Sequence, residues 1–478
     1  MLKLNQTEVL SQEEIHLIHD ATLEILEQEG VVVLSDMVRS FLAEKGLPVD
    51  HNSGVVRIPS SVVNSCLKQV PSSFALFTVD DKSWKRIGQG EPLFACGHNA
   101  VFFLDHQTGI RRDSLVEDVE KFVCIADQLD EIDLIGIPVM PQDTPAESTL
   151  LYAVRAAFQN SAKPLYYSSE SAGINRAVIQ MAKAINPDVS NRPFLISQLS
   201  PTSPLFWEKG TIEALYEVCI NGIPLAILPE PIAGASAPYT LAGLLTLHNA
   251  ECLSGIVFSQ LIREKTPVIY ASSWTVYDMR SNMAVIGTPE TNILRVAGAQ
   301  MAAFYHIPSH TTAPNSDSHF HDEQNSWERT LSAFISALAG NHLIVNAGMF
   351  ATGLTISLEQ LILDAEIIGM IKRILRGMEV SRETIFLDEI RRVGQRGNYL
   401  MEQSTLTHLR SDQFWKSKVS ILDHYQNCQT SGMNDVVLVA RQRIDSYLSR
   451  PTKMAISPDS LREMDQIISL FEERRDEE

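Results

Sequence analysis

Short apolar runs, separated by longer stretches with helical periodicity, recur along the middle of this chain of 478 residues. Eight runs begin roughly 30 to 43 residues apart, a spacing that fits one strand, one helix and two loops in each unit. The runs do not alternate strictly between apolar and polar positions, which is typical of strands buried on both faces of a parallel sheet. The pattern therefore predicts an α/β fold, a TIM (β/α)8 barrel. The predicted strands are Leu134–Val139, Pro164–Ser168, Phe194–Leu199, Pro224–Pro229, Pro267–Ser272, Pro308–Thr312, Leu343–Ala347 and Thr384–Glu389.

The segments on either side of the barrel have different patterns. Ser11 and Glu14 have the spacing of a capping box, and apolar residues follow at helical spacing, so we predict a helix over Gln12–Glu29. We predict an N-terminal α+β cap over residues 1–113, the barrel over 114–395, and a C-terminal helical extension over 396–478. The short strands expected in the cap are Val31–Leu34, Gly54–Ile58, Phe74–Thr78 and Val101–Asp105.

The charge of the chain excludes some kinds of partner. The formal net charge is −19 at pH 7 and the pI is about 5.1. Because phosphate binding needs a basic surface, we expect neither nucleic acid nor a membrane as a partner, whereas a small cation is compatible. The chain has no uninterrupted apolar run of about 18 residues, and none of its six cysteines forms a CxxC pair. We therefore expect a cytoplasmic protein with reduced thiols.

The residues that follow the strands are the first candidates for function, because such a barrel carries its chemistry at the carboxyl ends of its strands. Glu230 is either a salt-bridge partner at the rim or a counter-ion for a bound cation. Trp274 and Tyr277, with Asp278 beside them, either form a cage for a quaternary ammonium group or pack as structure. Arg280 either binds a substrate carboxylate through two hydrogen bonds or pairs with Asp278.

Further candidates follow the sixth and seventh runs. His319 and His321 form an HxH pair, which chelates Zn²⁺ when both residues lie on one strand. Just upstream, Pro314, Asn315 and Ser316 favour a loop, and the chain offers no obvious third and fourth ligand, so we predict no metal. The two histidines then serve either substrate binding or loop solvation. Asn346 and Phe350 bracket Gly348 and either line a pocket or shape the loop.

Several catalytic motifs are missing from the sequence. There is no glycine-rich phosphate loop and no GxSxG motif. No lysine occurs between Lys265 and Lys372, so the sixth and seventh strands cannot provide a Schiff-base nucleophile.

Five stretches of this chain resemble the trimethylamine methyltransferase superfamily, and the resemblance covers nearly the whole length. The stretches are LSQEEIHLIHDATLEILEQEGVVV, FFLDHQTGIRRDSLVEDVEKFVCIADQLDEID, YDMRSNMAVIGTPETNIL, SDSHFHDEQNSWERTLSAFISALAGNHLIVNAGMFATGLTISLEQLILDAEIIGMI and VGQRGNYLMEQSTLTHLRSDQFW.

The resemblance implies a TIM barrel that moves a methyl group from a methylamine to cobalt. The cobalt belongs to a corrinoid (cobalamin) carried by a separate cognate corrinoid protein, so the barrel itself is expected to bind no cofactor. Archetypal members carry a pyrrolysine in the barrel, and the lysine-free region from 266 to 371 covers its expected place. As written, the chain resembles the non-pyrrolysine branch, whose members demethylate quaternary amines such as glycine betaine. Two positions depart from the family pattern, with Asn346 where histidine is common and His319 where lysine is common.

The sequence thus predicts a methyltransferase that takes a methyl group from a quaternary amine, glycine betaine or a related betaine. No catalytic residue is assigned, because the nucleophile is the Co(I) of the partner. We expect Trp274, Tyr277 and Phe350 to face the ammonium group. Glu230 or Asp278 would lie nearby, and a substrate carboxylate would be held by Arg280, His319, His321 or Asn346. A metal-dependent TIM-barrel hydrolase and a non-catalytic amine-binding barrel are the alternatives, and we expect a homo-oligomer.

Overall fold

Eight parallel strands form a closed barrel at the centre of the computed structural model, which describes residues 7–432, 435–450 and 456–476. Each strand pairs with the one that precedes it in the chain, and the first and last strands also pair. The first two strands meet through a parallel bridge between Ala95 and Leu134. The strands are β1 (Leu93–Cys96), β2 (Ile135–Gly136), β3 (Leu165–Ser168), β4 (Leu195–Leu199), β5 (Leu225–Ile227), β6 (Val268–Ser272), β7 (Ser309–Thr312) and β8 (Leu343–Ala347).

A helix follows each strand and packs on the outside of the barrel, which confirms the predicted fold class. The helices are α1 (Val116–Asp127), α2 (Thr149–Asn160), α3 (Ala172–Ile185), α4 (Lys209–Ile220), α5 (Leu241–Ile262), α6 (Pro289–Phe304), α7 (Glu323–Leu338) and α8 (Leu358–Leu375). Helix α5 has the length and apolar composition of a membrane span, but 72% of that window is buried inside the protein. It is therefore a core helix.

One predicted strand is wrong. Thr384–Glu389 spans the end of one helix and the start of another, with Phe386 in a left-handed conformation between them. None of this segment is buried, and its acidic residues do not suit a strand covered on both faces. The strand that completes the barrel is β1, which lies in the segment predicted as the N-terminal cap. The three-domain division of the chain stays a prediction, although the barrel draws one strand from the first domain.

Prolines open four of the eight strands and shape their edges. Pro164, Pro224, Pro267 and Pro308 directly precede β3, β5, β6 and β7. Proline has no N–H to donate, but each of these carbonyls accepts a hydrogen bond from the neighbouring strand at 2.8–3.0 Å. The carbonyl group of each of these prolines therefore takes part in the sheet, although the proline has no N–H to donate.

The barrel is closed at its amino-terminal end by a hairpin of Phe74–Phe77 and Trp84–Ile87. Phe74, Leu76 and Ile87 join the apolar side chains of the barrel interior in one cluster. Apolar side chains therefore fill this end of the barrel.

The remaining elements surround the barrel. The predicted first helix is confirmed, with both capping-box hydrogen bonds between Ser11 and Glu14 present. The amino-terminal helices are Gln12–Glu24, a π-helical turn Ile25–Glu29, Asp36–Glu44 and Ser60–Leu67, and the carboxyl-terminal helices are Arg382–Ile385, Leu387–Val393, Gln403–His408, Tyr425–Ser431, Val436–Leu448 and Pro458–Asp476. The outer strands are Val31–Val33, Val55–Val56, Phe102–Leu104, Arg111–Asp113, Phe206–Trp207, Ile232–Ala233, Thr275–Asp278, Met283–Val285, Met349–Phe350 and Thr355–Ser357.

Candidate functional site

A cavity of about 460 Å³ opens at the carboxyl ends of the barrel strands, and we call it the barrel-mouth cavity. Residues in or after seven of the eight strands line it, which is where the fold places a site. The lining residues are His98, Asn99, Ser168, Glu170, Gln198, Ser200, Glu230, Ile232, Ser273, Thr275, Ala284, Ile286, Thr312, Asn315, Asn346, Met349, Thr352 and Gly353.

Two carboxylates carry the charge of this cavity. Glu230 follows β5 and Glu170 follows β3, and both side chains reach the open space of the cavity. Desolvation raises the pKa of Glu230, a hydrogen bond from Ser273 lowers it in part, and the negative charge of Glu170 raises it further. Desolvation and the nearby Glu208 raise the pKa of Glu170. A cation bound between the two glutamates would relieve their repulsion.

The floor of the cavity is a buried polar cluster. The Tyr166 hydroxyl donates to Gln198 Oε1 at 2.7 Å and lies 3.3 Å from His310 Nε2. The rings of Tyr166 and His310 stack with their centroids 5.5 Å apart, and His98 meets Tyr166 edge-on at 5.3 Å. Desolvation lowers the pKa of His98 to about 4 and that of His310 to about 3. Both imidazoles are therefore neutral at pH 7.

The wall between β7 and β8 is built from two carboxamides. Asn346 Nδ2 donates to Asn315 Oδ1 at 2.7 Å. Asn315 Nδ2 in turn donates to the carbonyl and the hydroxyl oxygen of Thr312 at 3.1 and 3.2 Å. Asn346 has φ of +148° at the end of β8, a conformation that L-residues rarely adopt. This backbone departs from regular strand geometry at the point where it borders the cavity.

The rim is tied together by Asp317. Its carboxylate accepts hydrogen bonds from the backbone N–H groups of Ile286 and Gly287 at 2.8–3.1 Å and from the Thr352 hydroxyl at 3.2 Å. The loops after β6, β7 and β8 are therefore joined at one carboxylate. Behind the same wall lies the buried Arg295, whose pKa is lowered to about 9 by desolvation.

Two of the predicted site residues, Glu230 and Asn346, line the cavity, and the other seven do not. Trp274 is fully buried, and its indole packs on the His248 ring with the centroids 4.4 Å apart. A Cβ on Gly298 would lie 3.0 Å from the same indole. The expected place of Trp274 beside a bound ammonium group does not fit this position in the core, so that prediction is corrected.

Tyr277, Asp278 and Arg280 lie on the hairpin after β6, outside the cavity lining. The Tyr277 hydroxyl donates to Asn282. Arg280 is 93% exposed and donates to Asp278 Oδ1 at 3.1 Å, which is the structural alternative considered for this pair. Hydrogen bonds from Arg280 and Ser281 lower the pKa of Asp278. The Asp278 carboxylate and the Arg280 guanidinium therefore pair with each other at the surface.

The two histidines of the HxH pair have different surroundings. His319 is exposed, whereas the His321 ring stacks on the buried Phe350 with the centroids 5.3 Å apart. Desolvation lowers the pKa of His321. Within residues 7–432, 435–450 and 456–476, no group of three or more His, Cys, Asp or Glu side chains has an arrangement that could hold a metal ion.

Several lining residues were missed by the sequence reasoning. His98 and Asn99 follow β1, which the pattern did not identify, so their positions at a strand end went unnoticed. Glu170 lies two residues after the end of β3, so the expectation that functional residues follow the barrel strands points to it. Gln198 lies inside β4, where two polar residues, Ser197 and Gln198, within a buried run are the available signal.

Comparison with known proteins agrees with this architecture. The chain matches the trimethylamine methyltransferase family over residues 2–478. A trimethylamine methyltransferase of Desulfitobacterium hafniense is 32% identical over 445 residues, which cover 92% of this chain and 89% of the relative. A glycine betaine methyltransferase of Desulfitobacterium hafniense is 29% identical over 402 residues, 83% of each chain.

Solved structures agree on the fold. The crystal structure of the Methanosarcina barkeri monomethylamine methyltransferase superposes with a TM-score of 0.51 at 14% identity, covering 98% of this chain and 96% of its own. The match of the family over nearly the entire sequence, on a barrel with its cavity at the expected end, decides the assignment. The chain belongs to the trimethylamine methyltransferase family.

Proposed function

We propose that this protein transfers a methyl group from a quaternary amine, glycine betaine or a compound related to it, to the Co(I) of a cognate corrinoid protein. The observation that carries the proposal is the barrel-mouth cavity, where two carboxylates are the charged groups and no lysine or arginine occurs among the described residues that line it. A small cation is the ligand that such a cavity attracts. Methyl transfer is proposed because the chain belongs to the trimethylamine methyltransferase family.

The absence of lysine from the cavity lining supports a quaternary substrate. No lysine-derived electrophile stands there to activate an amine, so the substrate must already carry a good leaving group. In a quaternary amine the nitrogen is positive before the reaction. When the methyl group passes to cobalt, the C–N bond breaks with its electron pair left on nitrogen, and a neutral tertiary amine departs. This departure needs no proton.

The buried histidines agree with that chemistry. His98 and His310 have pKa values lowered to about 4 and about 3, so neither is a proton donor at pH 7. The barrel would contribute the position of the substrate and the exclusion of water. Because the positive charge on nitrogen disappears during the transfer, tight binding of the cation would slow the reaction. We therefore expect modest affinity for the substrate.

Access to the methyl group defines where the partner binds. The cavity opens at the carboxyl ends of the strands, and apolar side chains of the Phe74–Phe77 hairpin fill the other end. The corrinoid protein would dock over this opening to bring cobalt to the methyl carbon. The expected homo-oligomer stays a prediction, which sedimentation velocity would check.

The experiment is methylation of a Co(I) corrinoid protein followed by visible spectroscopy. The panel contains quaternary amines of several kinds together with trimethylamine. We expect at least one quaternary amine to support methylation, and we expect Glu230→Gln to slow it. Methylation with trimethylamine but with no quaternary amine would contradict the proposal.

A further inference from the structure

The charges that face the barrel-mouth cavity also affect which chemical group the substrate can carry in its tail, away from the ammonium nitrogen. Glu170 and Glu230 are the charged side chains in its lining, and both are acidic. Resting on the proposed function, we propose that the cavity prefers a quaternary ammonium compound with an uncharged tail, such as a hydroxyl or an amide, over one with a carboxylate tail.

Like-charge repulsion is the first argument. In a compound as short as glycine betaine the carboxylate lies only a few bonds from the ammonium nitrogen. If the nitrogen sits near Glu230, the carboxylate is held within a cavity that already contains two glutamates. Like charges held close together in a partly desolvated cavity repel each other more strongly than they do in water. An uncharged tail avoids that repulsion and keeps the attraction of the cation.

The groups expected to bind a carboxylate are not available to it. Arg280 lies outside the cavity and pairs with Asp278, and His319 is exposed. His321 stacks on Phe350 and is not part of the cavity lining. Asn346 lines the cavity, but its amide already donates to Asn315. A carboxylate would therefore meet hydroxyl and amide groups without a positive charge among them.

Nearby side chains that could carry a positive charge do not offset the negative charges of the two glutamates. His98 lines the floor and His310 lies beneath it, and burial keeps both rings neutral at pH 7. Arg295 is the buried guanidinium behind the wall. Its N–H groups donate to Thr312 O and Ile286 O at 3.0 and 3.1 Å, and to the side chains of Thr291 and Asn292 at 2.8 and 3.0 Å. It stabilises the wall and is not part of the lining.

The test compares ligands that share a trimethylammonium group and differ in the tail, and glycine betaine and its carboxamide are the pair matched in all but tail charge. Binding of glycine betaine, its carboxamide analogue, choline and tetramethylammonium to the full-length protein is measured by titration calorimetry. We expect the carboxamide and choline to bind at least about tenfold more tightly than glycine betaine. Binding of glycine betaine as tight as that of its carboxamide would overturn the inference, and so would a failure of all four to bind.

Variants connect the preference to the glutamates. Glu230→Gln and Glu170→Gln should each weaken choline binding by about tenfold. Each should also reduce the ratio of the affinity for choline to the affinity for glycine betaine. Glu264→Gln changes an exposed acid beyond the other end of the barrel and should leave both affinities unchanged. A preference for choline that survives in both cavity variants would contradict the electrostatic origin.

The methylation assay separates the two proposals. If glycine betaine and not choline donates its methyl group, the present inference fails and the proposed function stands. If trimethylamine alone donates, the proposed function fails as well.

Discussion

At the scale of single residues, burial decides what each polar group can do. Glu230 and Trp274 were both expected beside the substrate because both follow strands. Glu230 reaches the cavity, whereas Trp274 is buried on His248. The strand-end rule locates a residue along the chain, but it does not say whether the side chain turns toward the cavity or the core.

Glu251 on α5 allows a test of a buried carboxyl group away from the cavity. It accepts hydrogen bonds from the Ser203 hydroxyl and the Leu205 N–H, each at 2.8 Å, and desolvation raises its pKa to about 7. Because the folded state then holds the proton more tightly than the unfolded state, the group stabilises the fold fully at pH values below its unfolded pKa. That contribution, on the order of 3 kcal/mol, is lost as the pH rises to about 7.

The measurement is the free energy of unfolding by urea at several pH values. We expect the wild type to lose stability relative to Glu251→Gln between about pH 4.5 and about pH 7. The glutamine has nearly the same volume and no charge, so the difference reports the titration. A constant difference across this range would contradict the raised pKa.

At the scale of elements, the closure of the barrel depends on the contact between β1 and β2. Strand β2 has two residues, and β1 was not identified from the pattern because its four residues resemble any short buried run. The assignment of β1 comes from its partners, β8 on one side and Leu134 on the other. These partners are distant in the sequence from one another, so a local pattern cannot reveal them.

Gly136 provides a test of that closure. A Cβ at this position would lie 2.4 Å from Cys96 O and 2.5 Å from Gly97 O. Both neighbours are backbone atoms of β1 and the loop after it. They therefore cannot move without separating β1 from β2. We expect Gly136→Ala to lower the free energy of unfolding by about 3 kcal/mol or more.

The matched control is Gly173→Ala, at the start of α3. Its Cβ would contact Phe471 at 3.4 Å, and alanine favours the helix, so we expect little loss or a small gain of stability. Equal unfolding midpoints in urea for Gly136→Ala and the wild type would contradict this prediction, because they would show that the contact between β1 and β2 accommodates the added Cβ.

At the scale of the whole molecule, the site exists because separate strands end at one place. Glu170 and Glu230 are 60 positions apart in the sequence, yet each lies close enough to influence one cavity. Their shared effect on a ligand is a property of the closed barrel. It disappears if either strand is displaced.

The pH dependence of cation binding should report this arrangement. The pKa values of Glu170 and Glu230 are raised above the usual value of a glutamate. Each carboxyl group is neutral below its pKa and attracts a cation only above it. We therefore expect the affinity for choline to increase as the pH rises above the range in which an ordinary glutamate titrates, and to level off once both carboxyl groups are ionised. Titration calorimetry of the wild type and of the double variant Glu170→Gln/Glu230→Gln measures the effect, and equal pH dependence in both proteins would contradict it.

The sequence by itself determined the strand and helix period, seven of the eight strands, the family resemblance and the end of the barrel at which the barrel-mouth cavity opens. These are local or linear features, since hydrophobic periodicity and motif order are read along the chain. The tertiary structure alone decided that Leu93–Cys96 completes the barrel, that Trp274 belongs to the core, and that Glu170, Glu230 and Asn346 meet in one cavity. The physical reason is that strand pairing and side-chain convergence depend on contacts between distant segments, which no local pattern contains.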